Sequence, residues 1–362
     1  MINCIYIHIP FCEKKCNYCC FCSFNLLSKK EDYINSLLKE IKFYYDKTPL
    51  KTLYFGGGTP FLLEVKDFEK ILSEFNFNKE TEITVELNPN ASDFNKLKEL
   101  KNLGINRLSV GIQNFNDKIL KIIGRNHTKN EIYNCIKNIN RAGFENFSVD
   151  LMYGLPNQDI KQWIETLDEA KKLEPGHISL YGLKIEKGTF FYKYPPKNLP
   201  NLDTQAKMYE IAIEKLSEEF LHYEFSSFAK NKNYISKHNS SYWKRVSYWG
   251  FGLSASGFID NKRYTNTFNF KDYIKNPTQK TYQTLTKQEQ IEEEIFLGLR
   301  LNSGIDFDFI NKKYNIDVFK KYECLFNKFS KNGFMEYTNN GIKLTKEGIL
   351  VSNEILCEFI EI

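Results

Sequence analysis

The chain has 362 residues, with 50 basic against 45 acidic side chains, a net charge of +5 and 42% hydrophobic residues. Charge this balanced gives no argument for nucleic acid or a membrane surface, and no apolar run approaches a membrane span. No signal peptide is read, because the first residues lack a basic segment and Cys12 follows at once, so the cytoplasm is the expected compartment.

In chain order, the first predicted element is a strand over Cys4–Ile9, carrying the apolar stretch Ile5-Tyr6-Ile7-His8-Ile9. It runs straight into Cys12-Glu13-Lys14-Lys15-Cys16-Asn17-Tyr18-Cys19, a Cys-x3-Cys-x2-Cys spacing on one short loop. Three thiolates so placed can hold three irons of a [4Fe–4S] cube and leave the fourth iron open to an outside molecule; ordinary electron-transfer clusters take four cysteines. Five of the nine cysteines crowd between Cys12 and Cys22, which in a reducing compartment reads as cluster ligation. A register using Cys20 or Cys22 is the alternative. Cys4, Cys135, Cys324 and Cys357 are expected to be buried small hydrophobes.

A helix with Ile34, Leu37, Leu38 and Ile41 on one face follows, with Ser28 and Glu31 as its candidate capping box. Further strands are predicted over Thr52–Phe55, Ile83–Leu87, Arg107–Gly111, Asn146–Met152 and His177–Leu183. Helical patterns run from Thr128 (with Glu131) toward Ala142, and from Ile160 to Leu173. This alternation predicts an α/β fold, a partial (β/α)6 TIM-like barrel with parallel strands. Sites in such folds form at the C-terminal strand ends. The unusual polar and glycine residues fall there: the cysteine loop, Gly56-Gly57-Gly58-Thr59-Pro60, Glu86, Gln113 and Asp150. The glycines allow close approach of a ligand to the backbone. Arg125 could fork onto a carboxylate, and Asp150 or Glu86 could accept from hydroxyls or an amine. Each acidic residue could equally be a structural ion-pair partner; their shared placement favours a site.

After Leu183 the alternation fades. Three units are expected: a barrel over 1–222, a connecting region over 223–285, and a helical, winged-helix-like module over 286–362. In the last, helices are predicted over Gln288–Leu301, Asp306–Tyr314 and Val318–Lys331. A hairpin around Asn339-Asn340-Gly341 and a final helix over Lys346–Phe359 follow. Mixed charge argues against DNA and for a lid or packing role.

The chain resembles the radical S-adenosylmethionine (SAM) superfamily, and within it the anaerobic coproporphyrinogen oxidase-like family. The resemblance rests on the cysteine triad, Gly56-Gly57-Gly58-Thr59-Pro60, Glu86-Leu87-Asn88-Pro89, Gly111-Ile112-Gln113-Asn114-Phe115, Gly124-Arg125 and Asp150-Leu151-Met152-Tyr153-Gly154-Leu155-Pro156. It implies that Cys12, Cys16 and Cys19 hold a [4Fe–4S] cluster. It further implies that Tyr6, Gly57, Gly58, Thr59, Glu86, Gln113, Arg125 and Asp150 line a SAM site, where an electron from the cluster cleaves SAM to a deoxyadenosyl radical in the family. No catalytic side chain is assigned. The oxidases carry a further cysteine two positions after the triad, where this chain has Phe21, and a longer N-terminal arm. The chain therefore looks more like the heme-chaperone branch, whose His-Asn-x-x-Tyr-Trp motif matches His238-Asn239-Ser240-Ser241-Tyr242-Trp243. That branch implies heme as ligand, an acceptor protein and a homodimer. His238 would offer an imidazole to heme, with Asn239, Tyr242 and Trp243 around it; the alternative is that these residues are local structure. The competing function is oxygen-independent oxidation of coproporphyrinogen III.

Overall fold

The computed structural model describes residues 1–361. Six strands form its centre: β1 (Cys4–Ile9), β2 (Thr52–Gly57), β3 (Glu82–Leu87), β4 (Arg107–Gln113), β5 (Phe147–Tyr153) and β6 (His177–Gly182). They pair in parallel in chain order. Between them lie α1 (Lys30–Tyr44), α2 (Val65–Leu72), α3 (Phe94–Asn102), α4 (Asp117–Ile122), α5 (Lys129–Arg141) and α6 (Ile160–Lys172). The expected capping box at Thr128 and Glu131 is present on α5. The one expected at Ser28 and Glu31 is not: Leu27–Lys29 form a 3-10 turn, and α1 starts without a side-chain cap.

Each central strand alternates two kinds of residue, and the period of 2 sorts them to opposite faces. Ile5, Ile7, Ile9, Leu53, Phe55, Ile83, Val85, Leu108, Val110 and Val149 join the helices in one apolar core. The intervening positions (Tyr6, His8, Thr52, Tyr54, Thr84, Glu86, Arg107, Ser109, Ser148, Asp150, His177) are polar and face one another across the lumen. Ser109 Oγ donates to Asp150, and Ser148 Oγ lies 2.8 Å from His177 Nδ1. An ordinary parallel sheet is apolar on both faces; this one keeps a polar lumen.

Beyond β6 come the one-turn α7 (Phe190–Lys193), α8 (Leu202–Leu216), β7 (Leu221–Glu224), β8 (Ser227–Ala229), α9 (Lys237–Trp243) and β9 (Trp249–Phe251). The sheet order is β7-β8-β6-β5-β4-β3-β2-β1-β9, with β9 parallel to β1 and β8 antiparallel to β6. The stretch 223–285 thus extends both edges of the barrel sheet and adds a small antiparallel sheet of Ser256–Ile259, Lys262–Asn266 and Lys280–Thr284. Lys280 ties that sheet to α1 through a fully buried ion pair with Glu40. Three rings, of Tyr44, Phe251 and Tyr264, surround its ammonium.

The C-terminal module has its own apolar core, centred on Ile295, Phe326 and Phe359. Helices Lys287–Gly298, Phe307–Tyr314 and Val318–Lys331 pack over strands Ile305–Asp306, Gly341–Leu344 and Met335–Tyr337. The expected final helix breaks at Val351 into Lys346–Leu350 and Ser352–Cys357. Arg245 fastens the module to the barrel side through a buried 2.9 Å ion pair with Glu293. Cys4 and Cys135 are buried as expected; Cys324 and Cys357 are exposed, on the outer faces of their helices. Among the described residues no helix is long and apolar enough to cross a membrane.

Candidate cluster and SAM site

The loop after β1 is closed by its own backbone. Cys12 N–H donates to Phe24 O at 3.0 Å, and Phe24 N–H to Pro10 O at 2.8 Å. Asn17, inside the triad, donates from its backbone to Ile123 O and from its side chain to Ile122 O. Gly124 makes that docking possible: its φ is +80°, and a Cβ there would lie 2.9 Å from Asn17 Oδ1.

Side chains from four strand ends then form one chain of contacts. Cys12 Sγ lies 3.7 Å from Thr59 Oγ1. Thr59 accepts from Asn88 Nδ2 at 3.1 Å, and Asn88 Oδ1 accepts from Arg125 Nη2 at 2.7 Å. Arg125 also donates to Gly111 O and, through Nη1, to Cys16 Sγ at 3.6 Å. The loops after β1, β2, β3 and β4 are laced around the cysteines. Arg125, expected on a ligand carboxylate, is largely used as this clamp; its Nε is buried and has no partner.

The glycine triplet is also packed against β1 and its loop. A Cβ on Gly57 would sit 2.5 Å from the His8 ring, and one on Gly58 2.5 Å from Phe11 O. The triplet is small because β1 and its loop fill the space. Gly57 N–H donates to Glu86 Oε2 at 3.2 Å, while Glu86 Oε1 accepts from Tyr54 OH at 2.8 Å. Burial pushes the Glu86 carboxyl up to about 7. Asp150 sits lower, its oxygens taken by Ser109 and Ser148, and burial raises it too. Tyr6 OH contacts His8 Nδ1 at 3.1 Å. Gln113 takes the left-handed conformation (φ 67°), and its buried Oε1 has no partner.

Two residues outside the expected set do structural work here. His8 Nε2 holds Cys22 O at 2.8 Å, bracing the far end of the cysteine loop. Asn88 links Thr59 to Arg125. Its sequence signal was its place just past a strand end, before Pro89.

The rim fits an iron–sulfur cluster and SAM. Burial raises the Cys12 thiol and takes Cys19 up to about 11, so apolar surroundings alone would keep them protonated. The Thr59 hydroxyl and Arg125 guanidinium instead offer donors to thiolates. Among the described residues no three His, Cys, Asp or Glu side chains converge on one point as for a single ion. Thiols spread along a loop suit the separate corners of a cube. The unpartnered Gln113 Oε1 and Arg125 Nε are polar atoms that a bound ligand could satisfy. Cys20 is exposed, and the Cys22 backbone is held by His8.

The His-Asn-x-x-Tyr-Trp motif lies at the opposite end of the barrel. It forms α9, and α9 docks on the first residues of the strands. His238 Nδ1 lies 2.8 Å from Thr52 Oγ1, at the start of β2. The backbone N–H groups of Lys237 and His238 donate to Glu82, at the start of β3. His238 Nε2 lies 2.7 Å from Tyr242 OH, and the ring stacks on Tyr54 at 5.0 Å. His238 is 1% exposed, and burial with nearby Arg107 lowers its pKa to about 3. In this structure both ring nitrogens of His238 are engaged inside the protein. Asn239, Tyr242 and Trp243 are half-buried, and the Arg300 guanidinium covers the Trp243 ring.

Strand-end cysteines on a half-open parallel barrel define a radical SAM protein, and the radical SAM superfamily model matches residues 6–170. The HemN C-terminal domain model matches residues 285–351. The chain is 36% identical to the heme chaperone HemW of Bacillus subtilis (strain 168), over 98% of each chain. It is 34% identical to the Lactococcus lactis heme chaperone HemW, over 99% of this chain and 97% of that one. The Escherichia coli coproporphyrinogen III oxidase HemN, titled a radical SAM enzyme, shares the fold with a TM-score of 0.87, at 23% identity over 99% of this chain and 90% of that one. The chain belongs to the heme chaperone HemW family.

Proposed function

We propose that this protein is a heme chaperone: it binds heme and hands it to an acceptor protein, with a [4Fe–4S] cluster on Cys12, Cys16 and Cys19 and SAM beside it. The observation that carries this reading is end-to-end likeness to heme chaperones over 98% of both chains, through the C-terminal module as well as the barrel. The rim supports it chemically. Thr59, Asn88 and Arg125 keep the thiols in place, while Glu86, Gln113 and Asp150 set the polar wall beneath them. When bound, the cluster supplies one electron and an open iron; the protein's residues position the ligands. Tyr6, Gly57, Gly58 and Thr59 belong to that wall by the same reading. Homodimerisation, a cytoplasmic location and the absence of nucleic-acid binding complete the proposal.

The test uses anaerobically reconstituted protein. Heme titration should give a saturable Soret band, and transfer to an apo-hemoprotein should follow its decay. The cluster's EPR spectrum should change on adding SAM. Conversion of coproporphyrinogen III with reductant and SAM would make this an oxidase instead; the fold alone, shared with HemN, permits that, but Phe21 stands where the oxidase pattern has its extra cysteine.

A further inference from the structure

The strap after β6 offers a surface for a flat ligand beside the cysteine loop. Residues 183–202 leave the C-terminal end of β6 and cross beside the cysteine loop. Phe191 N–H donates to Asn17 O at 2.9 Å, between Cys16 and Cys19. The buried Phe191 ring anchors the strap in a small apolar cluster with Ile119, Leu120, Ile123, Met152 and Leu155, against which Tyr18 of the cysteine loop also packs.

Its neighbours point the other way. Phe190, Tyr192 and Tyr194 are 53%, 54% and 54% exposed, although nothing in the fold requires rings there. Phe190 and Tyr194 lie against each other, with centroids 4.9 Å apart. Grouped exposed rings mark a binding surface; single ones do not. The strap also carries Lys184, Lys187, Lys193 and Lys197 against one acid, Glu186. All four lysines are exposed, and among the described residues none forms an ion pair. Pro195-Pro196 and the Phe191 anchor stiffen the strap, which lowers the ordering cost of binding.

We infer that this strap is the heme-docking surface: Phe190, Tyr192 and Tyr194 pack on the porphyrin plane, and the lysines take its propionates. Heme is a flat apolar ring with carboxylates at one edge, and the patch is its complement in shape class and in charge. The inference rests on the chaperone reading and adds where the cargo sits, next to the cluster and SAM rim.

The test compares ferric heme titrations of the wild type, F190A/Y192A/Y194A and a control, F309A, which removes an equally exposed ring from the C-terminal module. The triple variant should bind heme tenfold or more weakly, since each lost ring contact is worth severalfold. It should melt like the wild type, and F309A should bind like it. K184E/K187E/K193E/K197E should weaken heme but leave heme dimethyl ester, which lacks free carboxylates, unaffected. Wild-type heme affinity in the triple variant would overturn the docking site while leaving the chaperone reading intact. Intact heme affinity with lost self-association or lost delivery would make the strap a protein interface instead. A wild type that takes up no heme would sink the chaperone reading and this site with it.

Discussion

If His238 braces the barrel floor, removing it should cost stability before any heme is added. Replacing it by Ala deletes a ring that is 1% exposed and stacked on Tyr54. By analogy with large-to-small core changes, the cavity alone should cost about 3 kcal/mol. The Thr52 hydroxyl and Tyr242 OH each lose a partner at 2.8 and 2.7 Å. Stranding them adds about 1 kcal/mol apiece at most, because hydroxyls can rotate toward other acceptors. The sum is ~3–5 kcal/mol, or a Tm lower by ~6–10 °C at about 2 °C per kcal/mol for a chain this long. The assay is thermal unfolding of heme-free protein with matched cluster content. His238→Asn, which can still reach Thr52, should recover part of the loss. If heme-free H238A melted with the wild type while the Soret band vanished, His238 would be an iron ligand and the brace reading would be wrong.

Asn88→Ala breaks both the Thr59 and the Arg125 links of the rim, so reconstituted protein should retain less iron and release it faster to a chelator. Lys280→Ala strands Glu40 in a fully buried site and should cost about 3–5 kcal/mol, whereas pairing it with Glu40→Gln should restore much of that in denaturant unfolding. On acidification, His127, His222 and His238 (lowered by burial to about 3, 4 and 3) stay neutral in the fold but protonate when unfolded, so stability is lost as pH falls below about 6.5. Glu86, raised by burial to about 7, acts oppositely, its contribution being lost as pH rises from about 4.5 to 7. His8 and His177 are lowered by burial as well, and Asp150 and Glu224 are raised like Glu86; five histidines outweigh three carboxyls, so Tm should fall between pH 6.5 and 4.5, and a Tm that rose over that window would overturn the balance.

What the sequence could reveal followed the range of the interactions involved. The cysteine triad is local, so its spacing alone announced a cluster loop. The strand–helix alternation is local too, and it led to the observed barrel. The polar lumen was present as a period of 2 in Ile5-Tyr6-Ile7-His8-Ile9 and in Arg107-Leu108-Ser109-Val110, but only the sheet shows what those polar residues meet. The glycine triplet illustrates the limit. Its composition is equally consistent with a ligand above it or a neighbour below it, and only the fold reveals the His8 ring beneath Gly57. The His238 motif shows the same ambiguity at long range. An imidazole among aromatics reads as a heme site from its own segment, and nothing in that segment tells that the chain, 186 residues after Thr52, returns α9 to the barrel floor and engages both ring nitrogens there. A motif therefore fixes which groups are present, while the direction each one faces is settled by contacts its own segment does not contain.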